Sequence, residues 1–266
     1  MAPGARIRSI GRPRQIIALG GGGFTEEPDR PALDDYVLEA SGRDLPRILF
    51  LPTAGGDNPS YVVKFYAAFS GGHCVPSHLP LFNRTEDDIR SILLSQDVIY
   101  VGGGNTANLL AVWRAHGVDE ILAEAWRRGV VLAGLCAGSM CWFESGVTAS
   151  FGRRLTVIED GLGLLPGSNC PHYLQRRDAY LGAIGGGMPS GLAVEDGVAL
   201  HFVDLRLAAV VASRDDRRAY RVGLAGDRVI EAPLRPIVLG SRDRAAARAP
   251  RSVPAQGAPA ALAAVS

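Results

Sequence analysis

Short apolar runs alternate along the chain with longer stretches whose apolar residues recur on one side, and most runs break into glycine or proline. The run Gln15-Ile16-Ile17-Ala18-Leu19 predicts a strand ending in the loop Gly20-Gly21-Gly22-Gly23. A helix is predicted over 31–41, a buried strand over 47–52, and a helix with one apolar side over 60–69. Segment 75–82 reads as a short edge strand, because its prolines cannot donate to an interior ladder. A strand over 97–101 then leads into Gly102-Gly103-Gly104-Asn105, and 106–116 and 118–128 read as helices. Residues 129–134 form a β-branched, apolar run too short for a helix, hence another buried strand. This βαβα order predicts an α/β fold. Its core is a mostly parallel, doubly wound sheet with flanking helices, and its functional loops lie at the carboxyl ends of the strands.

The pattern changes beyond 144. Glycine and proline punctuate 161–171, and strands are predicted over 197–202 and 206–212. A third, 219–222, is expected to pair with them as a small antiparallel β extension near the C-terminus. From 241 onwards alanine, arginine, proline and serine dominate, with too little apolar surface to order the backbone. Residues 241–266 and 1–12 are therefore expected to be flexible tails around a single α/β domain at 13–240.

Composition narrows the function classes. With 266 residues, 47% hydrophobic, the chain can bury one sizeable core. A net charge of +1 gives no footprint for nucleic acid or an anionic membrane, so a small peptide or amide substrate is expected. No apolar stretch approaches the roughly 18 residues of a membrane span, and the N-terminus lacks the apolar core of a signal peptide. A cytoplasmic protein is the expectation. Cys74, Cys136, Cys141 and Cys170 are too scattered for a disulfide framework and lack C-x-x-C spacing, so free thiols and no metal or cofactor are expected.

Chemistry concentrates at Ala133-Gly134-Leu135-Cys136-Ala137-Gly138-Ser139, a strand breaking into small residues around one nucleophile. This is the pattern of a nucleophile elbow with sulfur in place of a hydroxyl. A helix predicted over 137–144 would direct its free N–H groups at Cys136 and favour thiolate. The bland alternative, less favoured here, is a small buried hydrophobe at a tight turn. The Gly102-Gly103-Gly104-Asn105-Thr106 segment also follows a strand and opens a helix, so its N–H groups could line an oxyanion pocket or simply form a turn. The Gly20–Gly23 loop lacks both G-x-G-x-x-G spacing and a P-loop lysine, which leaves a nucleotide role little support. A thiol nucleophile needs a base. Of His73, His78, His116, His172 and His201, His172 is best placed, in the loop-like Ser168-Asn169-Cys170-Pro171-His172-Tyr173.

Taken together, these segments resemble the dipeptidase E (aspartyl dipeptidase) and cyanophycinase family, serine-type peptidases with a class I glutamine amidotransferase-like fold. The resemblance spans about residues 14–235. Its further motifs are Phe50-Leu51-Pro52-Thr53-Ala54, Cys141-Trp142-Phe143-Glu144 and Gly161-Leu162-Gly163-Leu164-Leu165-Pro166-Gly167-Ser168. It implies that position 136 carries the nucleophile and His172 is the general base. It also implies an oxyanion hole from the N–H groups of Gly103, Gly104, Asn105 and Ala137. Two departures stand out. Cys136 replaces the family's serine, and Ala149 in Thr148-Ala149-Ser150-Phe151-Gly152 stands where the resemblance implies an acid. Thiols, with a pKa of about 8.5, form an ion pair with imidazole more readily than a serine hydroxyl does, so the two changes are chemically coherent. Decay of an unused site would look the same.

Glu144 is a candidate substitute acid, about two helical turns past Cys136. Asp178, Glu195 and Asp196 are further candidates that the sequence does not place. The leading expectation is a peptidase-like hydrolase working through a Cys136 thioester, with His172 as base. One alternative is an acyltransferase or amide-forming enzyme using the same thioester. Another is a catalytically silent binding protein. Asp specificity is an implication of the resemblance alone, and Arg153, Arg154, Arg176 and Arg177 read as surface charges. The sequence sets no oligomeric state, although homodimers are common among such folds.

Overall fold

The computed structural model describes residues 12–240. The tails expected at 1–12 and 241–266 lie outside the described residues, apart from Arg12, whose guanidinium pairs with Asp97 at 3.2 Å. The first half runs β1 (Gln15–Leu19), α1 (Gly23–Glu26), α2 (Ala32–Ala40), β2 (Arg47–Leu51), a 3-10 turn (Thr53–Gly55), α3 (Pro59–Phe69) and β3 (Val75–His78). It continues through α4 (Ile89–Leu94), β4 (Val98–Val101), α5 (Thr106–His116), α6 (Val118–Arg127) and β5 (Val131–Leu135). The second half comprises α7 (Ala137–Met140), β6 (Phe143–Thr148), β7 (Thr156–Ile158), β8 (Leu165–Pro171), α8 (Tyr173–Gly185) and β9 (Gly191–Val194). It ends with β10 (Val198–Val203), β11 (Arg206–Ala212), β12 (Ala219–Ala225), β13 (Arg228–Leu234) and β14 (Ile237–Val238).

These elements form a mixed α/β fold with two sheets. The larger has eight strands in the order β14-β11-β10-β1-β5-β4-β2-β3. Its β1, β5, β4, β2 and β3 are mutually parallel, whereas β10 lies antiparallel on β1. Strand β3, with Pro76, occupies the edge as its prolines require. Alternate residues of β1 serve opposite faces: Ile16 and Ala18 join one apolar cluster, Ile17 and Leu19 the other. Helix α6 buries Val118, Leu122, Ala125 and Trp126, one face at helical spacing. Among the described residues, no helix is long and apolar enough to cross a membrane.

The smaller sheet, with six strands in the order β13-β12-β9-β8-β6-β7, departs from the expected topology. Strand β12 pairs with β9 and β13 rather than with β10 and β11, which instead extend the main sheet. The stretch expected as loop at 161–171 holds β8, a strand that runs parallel to both β6 and β9. The elbow helix is also shorter than expected, because Phe143 and the Gly146-Val147-Thr148 run suit a pleated strand better than a helix interior. Phe143, Leu165, Leu192 and Val194 of the smaller sheet share an apolar cluster with Ile16 and Leu132 of the larger. The seam between the sheets brings the carboxyl ends of β5, β8 and β9 near one another.

Candidate active site

Cys136 is the bend between β5 and α7, with φ 52° and ψ −111°. Few non-glycine residues adopt this region, and strain of this kind persists where surrounding contacts over-determine it. Tight packing does so here. A Cβ on Gly134 would meet the Gly138 carbonyl oxygen at 2.2 Å, so α7 folds back directly onto β5 only because glycine is present.

His172 is a second positive-φ residue, with φ 52° and ψ 44° where β8 passes into α8. It therefore sits at a strand end rather than in a loop. Its Nδ1 lies 2.6 Å from Asp196 Oδ1, and its ring also hydrogen-bonds Cys136. Asp196 follows β9 in the turn before β10. The Gln175 side chain donates to its other oxygen at 3.4 Å.

The loop weighed for nucleotides sets these three residues in register. Leu19 O accepts the Cys136 N–H at 3.3 Å, Gly20 O accepts the His172 N–H at 3.1 Å, and Gly21 O accepts the Gly197 N–H at 3.1 Å. Three consecutive carbonyls thus bind the main-chain N–H groups of Cys136, of His172 and of the residue after Asp196. A Cβ at Gly21 would lie 2.4 Å from Asp196 Oδ1 and 2.7 Å from His172 Cε1. Glycine there is required by the imidazole–carboxylate pair itself.

Electrostatics matches this geometry. Burial opposes ionisation of Cys136, but the hydrogen bond and charge of His172, the charge of Arg176 and the Gly104 N–H together bring its thiol below the ordinary value. Burial likewise disfavours the His172 imidazolium, yet its bonds to Asp196 and Cys136 raise it from 6.5 to about 10. Asp196 is held below the usual carboxylate range by its hydrogen bond to His172, against the opposing effect of burial. The shifts of Cys136 and His172 both run toward a thiolate–imidazolium pair, with the Asp196 carboxylate behind it.

The other candidates are sorted by their partners. Glu144 lies on β6, not on a helix, and its carboxylate accepts the Gly167 N–H at 2.7 Å; the structure brings Asp196, not Glu144, to the imidazole. The Gly103 N–H donates to Tyr61 Oη at 2.8 Å and the Asn105 N–H to Ala54 O at 2.8 Å, so neither faces the sulfur. The Gly104 N–H does point at Cys136, and the Ala137 N–H has no acceptor among the described residues. His201 is buried between Tyr36 and Gln15, His78 bonds Tyr66, His116 ends α5, and His73 is exposed. Among the described residues, Glu26, His172 and Asp196 offer donor atoms within 4.8 Å of one another. Two of these groups already share the 2.6 Å hydrogen bond.

A cleft of about 220 Å³ opens beside the sulfur, lined by Gly104, Asn105, Thr106, Cys136, Thr148, Ala149, Ser150 and Arg176. Ala149 therefore faces the cleft and not the distal side of His172. Arg176, expected at the surface, is half-buried here; it donates to Val147 O at 3.1 Å and makes no ion pair among the described residues. No local pattern distinguishes Asp196 from Asp178 or Glu195, and Tyr61 carries no signal at all.

Comparison with known proteins shows the family and the fold. The description of peptidase family S51 matches residues 16–210. The uncharacterized peptidase YgaJ of Bacillus subtilis (strain 168) is 52% identical over 225 residues, which make up 83% of this chain and 97% of that protein. Peptidase E of Streptomyces coelicolor is 27% identical over 141 residues, 48% of this chain and 51% of its own length. The fold is similar to that in the crystal structure of a peptidase from an acI-B1 Actinobacterium. The TM-score is 0.61 at 17% identity, covering 85% of this chain and 98% of that one.

Proposed function

We propose that this chain, which belongs to peptidase family S51, cleaves a peptide or amide bond through a thioester on Cys136. The single observation carrying this reading is the alignment of Cys136, His172 and Asp196, with a 2.6 Å bond behind the imidazole.

In the proposed cycle the Cys136 thiolate adds to the carbonyl carbon, and the carbonyl oxygen takes the negative charge. The N–H groups of Gly104 and Ala137 receive that oxyanion, a contact of the kind whose loss costs about a hundredfold or more in rate. Collapse of the intermediate expels the amine, which takes the Nε2 proton of His172. His172, now neutral, removes a proton from water, and the resulting hydroxide attacks the thioester. The acid leaves and the thiolate–imidazolium pair is restored. Asp196 keeps Nδ1 protonated and the ring in line throughout.

The cleft supports an acidic acyl portion. Arg176 is the one cationic side chain in its lining, which contains no carboxylate. An anionic group there gains a charge-assisted partner, consistent with the Asp preference implied by the family resemblance.

The test is product analysis on acidic dipeptides and amides, with and without added amines. Hydrolysis without an acceptor is the expected result. Turnover only when an amine is supplied would overturn hydrolysis in favour of acyl transfer.

A further inference from the structure

The N–H groups that surround the sulfur are accounted for one by one. Gly102 N–H is bound by Leu51 O at 3.1 Å, Gly103 N–H by Tyr61 Oη at 2.8 Å, and Asn105 N–H by Ala54 O at 2.8 Å. Of these loop groups, the Gly104 N–H alone is left to face Cys136, across the cleft mouth that both residues line. It belongs to the peptide unit between residues 103 and 104, so the units on either side of it are both held. Ala54 O holds one. The other is held by a side chain, Tyr61.

Tyr61 is built to keep that oxygen in place. It lies in the first turn of α3, where Asn58 caps the helix by accepting the Ser60 N–H at 2.8 Å. Its ring is wedged against Phe50 and Phe24, with centroids 5.0 and 5.8 Å away. The ring also covers the loop itself, since a Cβ on Gly102 would lie 2.9 Å from Tyr61 Cε1. Burial pushes the phenol well above its ordinary pKa, so its oxygen stays a neutral acceptor. Gly104 has φ 141°, and a Cβ there would meet Ala54 O at 2.1 Å. That backbone turn is open only to glycine, and glycine has no side chain to hold it, so its direction depends on the anchors at each side.

We propose that Tyr61 is a positioning residue for the oxyanion site: by fixing the Gly103 N–H, its hydroxyl aims the Gly104 N–H at the oxygen of the bound acyl group. This rests on the thioester reading above. Tyr61 touches no reacting atom in this role. Its effect is confined mainly to steps in which a carbonyl oxygen becomes charged, because the Gly104 N–H lowers the Cys136 thiol less than His172 and Arg176 do.

That confinement gives the test, made on the full chain with Tyr61→Phe, which keeps the ring and removes the hydroxyl. Four quantities are compared with the unaltered protein: kcat and KM for a hydrolysed dipeptide, the inhibition constant of the matching peptide aldehyde, and the rate of alkylation of Cys136 by iodoacetamide. The aldehyde adds the thiolate to its carbonyl carbon and places an oxygen in the oxyanion site, whereas alkylation displaces iodide and forms no oxyanion. Expected results are a fall of about tenfold to a hundredfold in kcat with KM within about twofold, and aldehyde binding weakened by a similar factor. The alkylation rate at a pH above its acid limb stays within about twofold, and that limb moves upward only slightly, since His172 and Arg176 lower the thiol more than the Gly104 N–H does. Unchanged kcat and aldehyde binding would overturn the proposal. So would a parallel fall in alkylation, which would make Tyr61 a support of the nucleophile or of the fold. If the unaltered protein neither binds the aldehyde nor alkylates rapidly, the thioester reading itself fails, a result distinct from either outcome with Tyr61→Phe.

Discussion

Asp196 Oδ1 lies 2.6 Å from His172 Nδ1, and the two residues follow neighbouring parallel strands of the smaller sheet, β9 and β8. Cys136 follows β5 of the larger sheet, so the line of Cys136, His172 and Asp196 crosses the seam between the two. Replacing Asp196 with Asn should leave the fold intact and lower kcat/KM by about a hundredfold. A serine-type site loses about ten-thousandfold from the same change, but a thiolate forms with less help. Glu144→Gln, by contrast, should stay within about twofold, because its carboxylate serves Gly167. Steady-state kinetics of both variants on one substrate decides between the two acids.

Gly21→Ala places a methyl group 2.4 Å from Asp196 Oδ1 and 2.7 Å from His172 Cε1. Both contacts are with side-chain atoms that can swing away, so the expected outcome is loss of activity by about a hundredfold with a melting temperature lowered by only a few degrees. A melting curve and an activity assay on the same preparation check it. Full activity would mean that the imidazole–carboxylate contact is not needed.

The α/β class, most of the main-sheet strands and the sharp bend at Cys136 were legible in the sequence, and His172, the histidine singled out there, lies beside that bend. Apolar periodicity and glycine placement are local signals, and each of those features depends on a few adjacent residues. The smaller sheet was not legible. Strand β8 carries Pro166, Gly167 and Pro171, which read as turn punctuation, and its pairing with β6 and β9 is set by distant partners. Glu144 was misplaced because the elbow helix stops at Met140, and an assumed helical spacing put its carboxylate on the wrong path. Asp196 lay unresolved beside Glu195 because only tertiary packing separates them: Glu195 turns away and accepts from Tyr220 at 2.8 Å. The Gly20–Gly23 loop was visible as a motif, but the use of the Gly20 and Gly21 carbonyls to hold the backbones of His172 and Gly197 was not.

The pH dependence follows from opposite shifts within the pair. Cys136 is depressed from its ordinary value, so activity should be lost as pH falls through that lowered value and the thiolate is protonated. His172 is raised to about 10, so the imidazolium that protonates the leaving amine is present below that value and is lost as pH rises through it. The profile of kcat/KM should therefore be bell-shaped, with its alkaline limb near 10. Alkylation by iodoacetamide needs only the thiolate and should show the acid limb alone. The same sign holds for stability. The His172 contribution is fully present below 6.5 and disappears as pH rises through about 10.

Arg176→Gln should raise KM about tenfold for substrates with an acidic acyl portion and leave neutral analogues within about twofold. Because the Arg176 charge also helps lower the Cys136 thiol, the acid limb of the pH profile should move upward. Kinetics on a matched pair of acidic and neutral dipeptides separates the two effects. An equal change on both substrates would remove Arg176 from substrate recognition.

The central claim is that Cys136 carries the acyl group, and the most direct measurement is the mass of the protein trapped during turnover of a slowly hydrolysed ester or amide. The expected result is an increment equal to the acyl portion, located on the peptide containing Cys136 and absent in Cys136→Ala. Undiminished turnover in Cys136→Ala, with no adduct in the unaltered protein, would contradict it.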